Sequence, residues 1–142
     1  MVLQISPSEA YKILQENPNS LLVDVRTREE IDFVGFVDLS QTSVKTILLP
    51  WKIYPNMAVD EAFTDKLSAL VVKHFSSNPE ETNLLFLCRS GNRSLEAALF
   101  MSDLGYHNCY NIINGFEGSH DELGHRGQTN GWKAKNLPWR QN

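Results

Sequence analysis

The segment LLFLCRSGNRS, residues 84–94, places a cysteine between an apolar run and a loop that contains glycine. The run at 83–88 has the length of a buried strand, and apolar residues recur at helical spacing from Leu95 to Leu104. Gly105 then supplies a natural C-terminal cap. The segment therefore predicts a strand, a loop and a helix, with Cys88 at the carboxyl end of the strand.

The rest of the chain repeats this alternation of short apolar runs with helical patterns. Residues 6–9, Ser-Pro-Ser-Glu, combine a cap hydroxyl, an early proline and a carboxylate three residues after the cap, which predicts a helix start. Because nearly continuous apolar strands alternate with helices, we expect an α/β fold with a mainly parallel central sheet and helices on both faces. The predicted order is a helix to about residue 16, strand 21–25, helical turn 26–33, strand 45–49, helix 60–75 capped by Asp60, strand 83–88, a helix from about Asn92, and strand 109–113.

Length and composition predict one domain. The chain has 142 residues, of which 42% are hydrophobic and 21% charged, as in ordinary globular proteins that build one core. It contains no internal repeat and no linker-like tract. We expect a single domain over residues 1–142, with a polar insert at about 119–130 and a closing segment at 131–142.

Charge and hydropathy exclude several classes of function. A net charge of -4 and a pI near 5.5 give no general attraction to nucleic acid or anionic lipid, so neither is an expected partner. The apolar runs are far shorter than the roughly 20 residues that cross a bilayer. The first residues do not resemble an export signal, and two cysteines are too few for a disulfide scaffold. We therefore expect a cytoplasmic protein with reduced thiols.

Cys88 is the candidate nucleophile. Ligands of parallel sheets bind beyond the carboxyl ends of the strands, which is where the predicted strand places this thiol. The loop can turn its N–H groups inward as an anion-binding nest, and the helix from Asn92 adds the positive end of its dipole. Arg89 and Arg93 add positive charge that would stabilise a thiolate beside an anionic substrate. The alternative is a buried structural cysteine, but such a residue does not need glycine, hydroxyl groups and two arginines in the next six positions.

Beyond this chemistry, the sequence resembles the rhodanese-like sulfurtransferases at four landmarks that follow the family's order. The resemblance covers about residues 6–139 and implies a rhodanese-like α/β fold. The four landmarks are residues 22–26 with Glu29 and Glu30, residues 87–94, residues 104–106 with 110–112, and residues 132–134 with 137–139.

This resemblance implies a reaction cycle for Cys88. The thiol would attack the sulfane sulfur of a donor such as thiosulfate, hold it as a persulfide, and pass it to a thiophilic acceptor, cyanide or a thiol. The implied partners are a small anionic sulfur donor and a thiol or protein sulfur acceptor, with no metal and no cofactor. We expect Arg93 to brace the loop and Arg89 to point outward and attract the donor. The expected substrate-binding residues are Arg89, Ser90, Gly91, Asn92, Arg93 and Ser94, whose N–H groups can stabilise charge above the loop.

Loop length separates this interpretation from two enzyme classes of the same fold. In the related phosphatases, as the resemblance implies, five residues lie between the cysteine and the arginine, whereas here four residues, 89–92, intervene. A tighter loop fits a single sulfur atom better than a phosphoryl group, which disfavours a phosphatase or an arsenate reductase. A further alternative is a non-enzymatic persulfide carrier or regulatory binding module, which would use the same residues.

Several residues outside the loop are supporting candidates. Asp24 and Arg26 lie near a strand end, either at the active face or as a structural ion pair. Cys109 starts the last predicted strand, about 15 Å from the loop cysteine at about 3.3 Å per residue, beyond the disulfide reach of about 7 Å. Trp51 and Tyr54 either wall the pocket or pack on the surface.

Two segments depart from the family pattern. Where many relatives have His-Ile followed by Gly-Ala, residues 32–37 retain only Gly35. The second departure is the insert at 119–130, which we expect to border the cysteine loop and shape acceptor access; the alternative is a solvated surface loop. Its chemistry-bearing residues, whose spacing matches no compact metal motif, are His120, Asp121, Glu122, His125 and Arg126.

Overall fold

The computed structural model describes residues 1–53, 56–75 and 78–141. Its architecture is α/β, which confirms the predicted fold class. No helix in the described ranges is both long and apolar enough to cross a membrane. The helices are α1 (Pro7–Glu16), α2 (Arg28–Val34), α3 (Phe63–His74) and α4 (Asn92–Asp103), with a 3-10 turn at Pro79–Glu81. The strands are β1 (Val2–Ile5), β2 (Ser20–Asp24), β3 (Phe36–Val37), β4 (Lys45–Leu48), β5 (Lys52–Ile53), β6 (Ala58–Val59), β7 (Asn83–Leu87), β8 (Asn108–Ile112) and β9 (Trp139–Arg140).

The central sheet has five strands in the order β1-β8-β7-β2-β4, and each neighbouring pair is parallel. The carboxyl ends of all five strands therefore lie at the same end of the sheet. Backbone hydrogen bonds join the segments that leave these ends: Val25 donates to Leu87 at 2.8 Å, and Phe116 donates to the carbonyl of Cys88 at 2.8 Å. The sheet thus brings the segments after β2, β7 and β8 together around the cysteine.

Two apolar clusters cover the two faces of the sheet. Alternation along β7 directs Leu84 and Phe86 into the cluster built with α3 and α4, and Leu85 and Leu87 into the opposite one. The second cluster is covered by α1 and by segments outside the helices, including the fully buried Trp132. Helices on both faces agree with the prediction, but the C-terminal segment does part of the covering.

The starts of α1 and α2 are both fixed by capping boxes. Ser6 accepts a hydrogen bond from the N–H of Glu9 at 3.1 Å, and the Glu9 carboxylate accepts one from the N–H of Ser6 at 3.2 Å, at the predicted helix start. Thr27 and Glu30 form the same reciprocal pair at α2. Both helices therefore begin where a short side chain satisfies a free backbone N–H.

The prediction that Asp60 caps the third helix is wrong. The helix begins at Phe63, and no side chain caps it. Asp60 instead accepts a hydrogen bond from the N–H of Ala62 at 3.0 Å, while its carbonyl accepts one from Phe63 at 3.0 Å. The aspartate therefore closes the turn that precedes the helix, and the helix itself begins only at Phe63.

Five short strands were missed by the sequence analysis: β1, β3, β5, β6 and β9. Two of them pair with strands that are distant in the sequence. The first is β1, which within the described residues pairs only with β8 and is half exposed at the side of the sheet. The second is β9, which lies in the polar tail and pairs antiparallel with β3. Gly35 makes the second pairing possible: its φ is 105°, and a Cβ there would lie 2.6 Å from the carbonyl oxygen of Arg140.

Candidate active site

Cys88 lies directly after β7, inside the loop that leads to α4. Gly91, the residue that caps α4, has a φ of 109°, a left-handed conformation that suits glycine. This conformation directs its N–H at the Sγ atom of Cys88, 3.1 Å away. Only 1% of Cys88 is exposed, so the sulfur is shielded from bulk water and held at the positive end of the α4 dipole.

A buried chain of hydrogen bonds runs from this sulfur to the edge strand β1. The Oγ of Ser94 lies 3.3 Å from the Sγ of Cys88 and 2.6 Å from the Oδ1 of Asn111. The Nδ2 of Asn111 donates to the carbonyl of Gly91 at 3.2 Å and to the Oε1 of Gln4 at 2.9 Å. A carbonyl only accepts, so this contact fixes the amide with its oxygen towards Ser94. Since a hydroxyl has one hydrogen, Ser94 can donate to the amide or to the sulfur, but not fully to both.

Arg93 joins the loop to α2 through a paired ion bridge. Its Nη1 and Nη2 donate to the Oε1 and Oε2 of Glu30 at 2.6 and 2.8 Å. Burial disfavours the charge of Glu30, but hydrogen bonds and charge from Arg93, with further bonds from Thr27, outweigh it and hold the pKa of Glu30 below its ordinary 4.5. Hydrogen bonding to Glu30 in turn raises the pKa of Arg93. The pair ties the first turn of α4 to the first turn of α2.

A cleft of about 550 Å³ opens beside the loop, between α2 and the insert. Arg89 is exposed on its wall and, within the described chain, takes part in no ion pair. Arg126 lies on the insert side, where its Nη1 donates to the carbonyl of Gly118 at 2.6 Å. The insert therefore borders the cysteine loop through Arg89. We call this space the insert cleft; its lining residues are Glu30, Val34, Arg89, Glu117, His120, Gly124, His125 and Arg126.

The loop residues expected to bind substrate occupy different surroundings. Ser90 and Asn92 line a separate polar depression of about 270 Å³, on the side of the loop where Gln4 and Asn114 lie. Ser94 is fully buried beneath the sulfur, whereas Arg93 is committed to its ion pair. The structure thus divides the loop between a sulfur cradle, an arginine facing the insert cleft, and two polar residues facing away from it.

The segment after β8 passes directly over the cysteine loop. The N–H groups of Glu117 and Gly118 both donate to the carbonyl of Arg89, at 3.0 and 3.1 Å. Gly115 has a φ of 57°, and a Cβ at this position would lie 2.7 Å from the same carbonyl. Only glycine permits this approach. The loop is therefore held by backbone contacts with the segment after β8 and by the ion pair of Arg93 with Glu30.

Asp24 and Arg26 form a buried ion pair, the structural alternative of the sequence analysis. The Nη2 of Arg26 lies 2.7 Å from the Oδ2 of Asp24, and neither side chain is exposed. The guanidinium also stacks 4.4 Å from the ring centre of Phe116, in the segment that covers the loop. Its Nη1 has no hydrogen-bond partner in the described chain, so the ring contact offsets part of the cost of burying it. Through this contact with Phe116, the ion pair supports the segment that covers the cysteine loop.

Cys109 takes no part in this cluster. It pairs across the sheet with Leu84, four positions before Cys88, and both cysteines are free. That separation corresponds to about 13 Å along the strands, beyond disulfide reach. Burial raises the pKa of Cys109 to about 11, so this thiol stays protonated near neutral pH.

Trp51 is a core residue and does not line the insert cleft. Its ring packs edge-on against Phe63 at 4.9 Å and lies 5.8 Å from Phe100. Tyr54, its companion in the sequence analysis, lies outside the described residues. Across the described ranges, no group of three or more His, Cys, Asp and Glu side chains is placed to hold a metal ion.

Comparison with known proteins identifies the family. The family model described as the STR4 middle domain matches residues 4–142. An uncharacterized protein of Rickettsia conorii is 41% identical over 138 residues, covering 97% of each chain. A rhodanese domain-containing protein of Drosophila melanogaster is 34% identical over 101 residues, covering 70% of this chain and 81% of that protein. The chain belongs to the rhodanese-like family. The crystal structure of Rv0390 from M. tuberculosis matches this rhodanese-like chain with a TM-score of 0.81 and 38% identity, covering 98% of this chain and 97% of that one.

Three residues of the rhodanese-like site have roles that the sequence analysis missed. Glu30 had a local signal for its position but not for its partner Arg93, because Thr27 and Glu30 have capping-box spacing, which fixes the carboxylate at a helix start. Asn111 also had a signal, since it is a polar residue inside a buried strand. Gln4 had none, because the strand that carries it was not predicted.

Proposed function

We propose that this protein is a sulfurtransferase, which moves a sulfane sulfur from a donor such as thiosulfate, through a persulfide on Cys88, to a thiophilic acceptor such as cyanide or a thiol. The observation that carries this proposal is the position of the sulfur at the start of α4, with the Gly91 N–H at 3.1 Å and the Ser94 hydroxyl at 3.3 Å. Donors fixed before the reaction stabilise negative charge without reorganising. The thiolate and the persulfide are both anions of this kind.

The loading step moves one sulfur atom. The Cys88 thiolate attacks the outer sulfur of thiosulfate and a new S–S bond forms. The S–S bond of the donor breaks, and sulfite leaves with its electron pair. The anionic persulfide that remains has its outer sulfur about 2 Å beyond Sγ, nearer to the mouth of the loop. No proton transfer and no other reactant is needed for this step.

The unloading step regenerates the thiolate. The anionic persulfide first takes up one proton from water. An acceptor thiolate then attacks the outer sulfur of this protonated persulfide, forms a new S–S bond, and takes that sulfur together with its hydrogen. The bond to Cys88 breaks, and its electron pair stays on Sγ. The same hydrogen-bond donors, Gly91 and Ser94, stabilise the leaving thiolate, so one cradle serves both half-reactions.

Loop size supports sulfur transfer over phosphoryl transfer. Four residues, 89–92, separate Cys88 from Arg93, and the guanidinium of that arginine is committed to Glu30 by two hydrogen bonds. An arginine held in this way braces the loop and is not free to clamp the equatorial oxygens of a phosphoryl group. A single sulfur atom needs no such clamp.

Intact mass measurement tests the proposal. We expect the reduced protein, incubated with thiosulfate and freed of excess donor, to gain one sulfur atom that thiols remove. The Cys88→Ser variant should gain none. If the native protein gains no sulfur while its Cys88 is readily alkylated, the proposal is wrong. If it loads but passes the sulfur to neither cyanide nor thiols, the protein is a persulfide carrier and not an enzyme.

We also propose that this cycle takes place in a reducing compartment, the cytoplasm. The cycle requires Cys88 as a free thiol, and both cysteines are free. The partners we propose are a small anionic sulfur donor and a thiol or protein acceptor.

A further inference from the structure

The insert cleft holds two arginines beside the cysteine loop in a chain of net charge -4. Arg89 and Arg126 both line it, on opposite sides. Of its two carboxylates, Glu30 is bound to Arg93, which leaves Glu117 as the one without a salt bridge in the described chain. His120 and His125 complete the wall and can each donate a hydrogen bond to an anion.

The insert side of this cleft has a defined conformation, which hydrogen bonds within the insert hold. Asp121 accepts the N–H of Leu123 at 2.9 Å and of His125 at 2.8 Å through one carboxylate oxygen, and its own N–H donates to the carbonyl of His125 at 2.7 Å. Arg126 is anchored through a single nitrogen, Nη1, to the carbonyl of Gly118. The other N–H groups of this guanidinium have no partner among the described residues and can donate to a ligand. The insert therefore holds Arg126 in position in the cleft that Arg89 of the loop also lines.

The size of the cleft indicates the class of ligand. The cleft is open to solvent, and its volume of about 550 Å³ is larger than thiosulfate requires. Six of the eight lining residues carry ionisable side chains, and Val34 is the one large apolar residue among them. Paired arginines match carboxylates, which accept two hydrogen bonds from one guanidinium.

Building on the proposed function, we propose that the insert cleft binds the carboxylates of a small anionic thiol, the acceptor of the sulfur. Arg89 and Arg126 hold the carboxylates. Cys88 itself does not line the cleft, but Arg89 directly follows it in the loop. We therefore place the thiol of the bound acceptor at the loop side of the cleft, where it attacks the outer sulfur of the persulfide as balanced above. Acceptor choice then depends on the insert, whereas loading depends on the loop.

Acceptor kinetics test this proposal. The protein is loaded with thiosulfate, freed of donor, and mixed with mercaptosuccinate, which has two carboxylates, or with neutral 2-mercaptoethanol, with rates corrected for thiolate content. We expect Arg126→Gln to lower the ratio of the mercaptosuccinate rate to the 2-mercaptoethanol rate about tenfold, as loss of charge-assisted hydrogen bonds predicts. Lys135→Gln removes one exposed positive charge outside the cleft and should leave the ratio within about twofold. Equal ratios in the two variants would overturn the proposal.

A binding measurement separates this proposal from the proposed function. Mercaptosuccinate is titrated into Cys88→Ser, which cannot carry sulfur, and into the same variant with Arg126→Gln, while backbone amide NMR signals are followed. We expect saturable shifts centred on Arg89, His120 and Arg126 that weaken at least several-fold in the double variant. Shifts without sulfur loading of the native protein would retain the anion site and reject the sulfurtransferase. Sulfur loading of the native protein, without saturable shifts in the Cys88→Ser variant, would retain the sulfurtransferase and reject the anion site.

Discussion

At the scale of single residues, the hydroxyl hydrogen of Ser94 determines how the sulfur is stabilised. When Cys88 is a neutral thiol, the Ser94 hydroxyl donates this hydrogen to the Oδ1 of Asn111, 2.6 Å away. A charged sulfur is the stronger acceptor, so the hydroxyl turns to Sγ when the thiolate forms. Asn111 keeps its bonds to Gly91 and Gln4 meanwhile, and the loop does not have to move.

Substituting Ser94 tests this account. We expect Ser94→Ala to slow both alkylation of Cys88 by iodoacetamide and sulfur loading by about tenfold at neutral pH, because a hydrogen bond to the charged sulfur is lost. Ser90→Ala, which removes the hydroxyl facing the other depression, is the control and should react at nearly the native rate. Native reactivity in Ser94→Ala would contradict the assignment.

The two cysteines should differ sharply in reactivity. Burial raises the pKa of Cys109 to about 11, so native protein near neutral pH should take up one alkyl group, and peptide mapping should locate it on Cys88. Modification of the second thiol should appear only as the pH approaches about 11 or as the chain unfolds. Cys109→Ala should load sulfur like the native protein. Two alkyl groups on the folded protein at pH 7 would count against this prediction.

At the scale of elements, α2 and α4 are joined at their first turns by Glu30 and Arg93. The pKa of Glu30 is lowered in the fold, so the pair contributes its full stability above the ordinary value of 4.5 and loses it as the pH falls through the native pKa. We expect Glu30→Gln to lower the free energy of unfolding by about 2 kcal/mol at pH 7. The difference from the native protein should shrink below pH 4.5.

Urea unfolding measured from neutral to acid pH checks this dependence. Glu29→Gln is the matched control, because its side chain is exposed and makes no salt bridge in the described chain. The control should change stability by no more than about 0.5 kcal/mol at any pH. If the loss of unfolding free energy in Glu30→Gln stays constant as the pH falls below 4.5, the charge of the pair is not the source of that loss.

The insert can be removed at a natural junction. Ser119 and Asn130 meet at its base, where the Ser119 N–H donates to the Asn130 side chain at 2.8 Å. We expect replacement of residues 120–129 by two glycines to leave sulfur loading intact and to abolish the preference for mercaptosuccinate over 2-mercaptoethanol. Single-turnover rates with the two thiols measure this. Rates unchanged with every acceptor would mean that the insert has no part in acceptor choice.

Elements were predictable from sequence where local chemistry defines them. The capping box at Ser6, the Gly105 cap and the apolar run before Cys88 each lie within a few residues of the feature that they fix, and each prediction matches an element of the structure. The strands β1 and β9 have no such local signal, because four and two residues form a strand only once a distant partner is present. The cysteine loop was predictable because its signals are local. Its contacts with Glu30, Asn111 and Gln4 join distant parts of the chain and were not predictable.

At the scale of the whole molecule, the closing segment completes the core. Trp132 is fully buried on the face that α1 covers, and its Nε1 donates to the carbonyl of Pro138 at 2.8 Å. We expect Trp132→Ala to lower the free energy of unfolding by about 4 kcal/mol, and Trp132→Phe, which keeps a ring but loses the hydrogen bond, by about 1 to 2 kcal/mol. Trp139 is 37% exposed, so Trp139→Ala should cost clearly less. Chemical denaturation ranks the three variants, and a larger loss at Trp139 would contradict this placement of the core.

The strand order has a consequence for the way the protein is made. The edge strand β1, residues 2–5, pairs only with β8, residues 108–112, so about a hundred residues must leave the ribosome before it has a partner. Gln4 belongs to that strand, and its bond to Asn111 forms only when the two meet. A nascent chain that already contains Cys88 therefore still lacks the support behind the cysteine. During synthesis the reactive site therefore cannot be completed before β8 has left the ribosome.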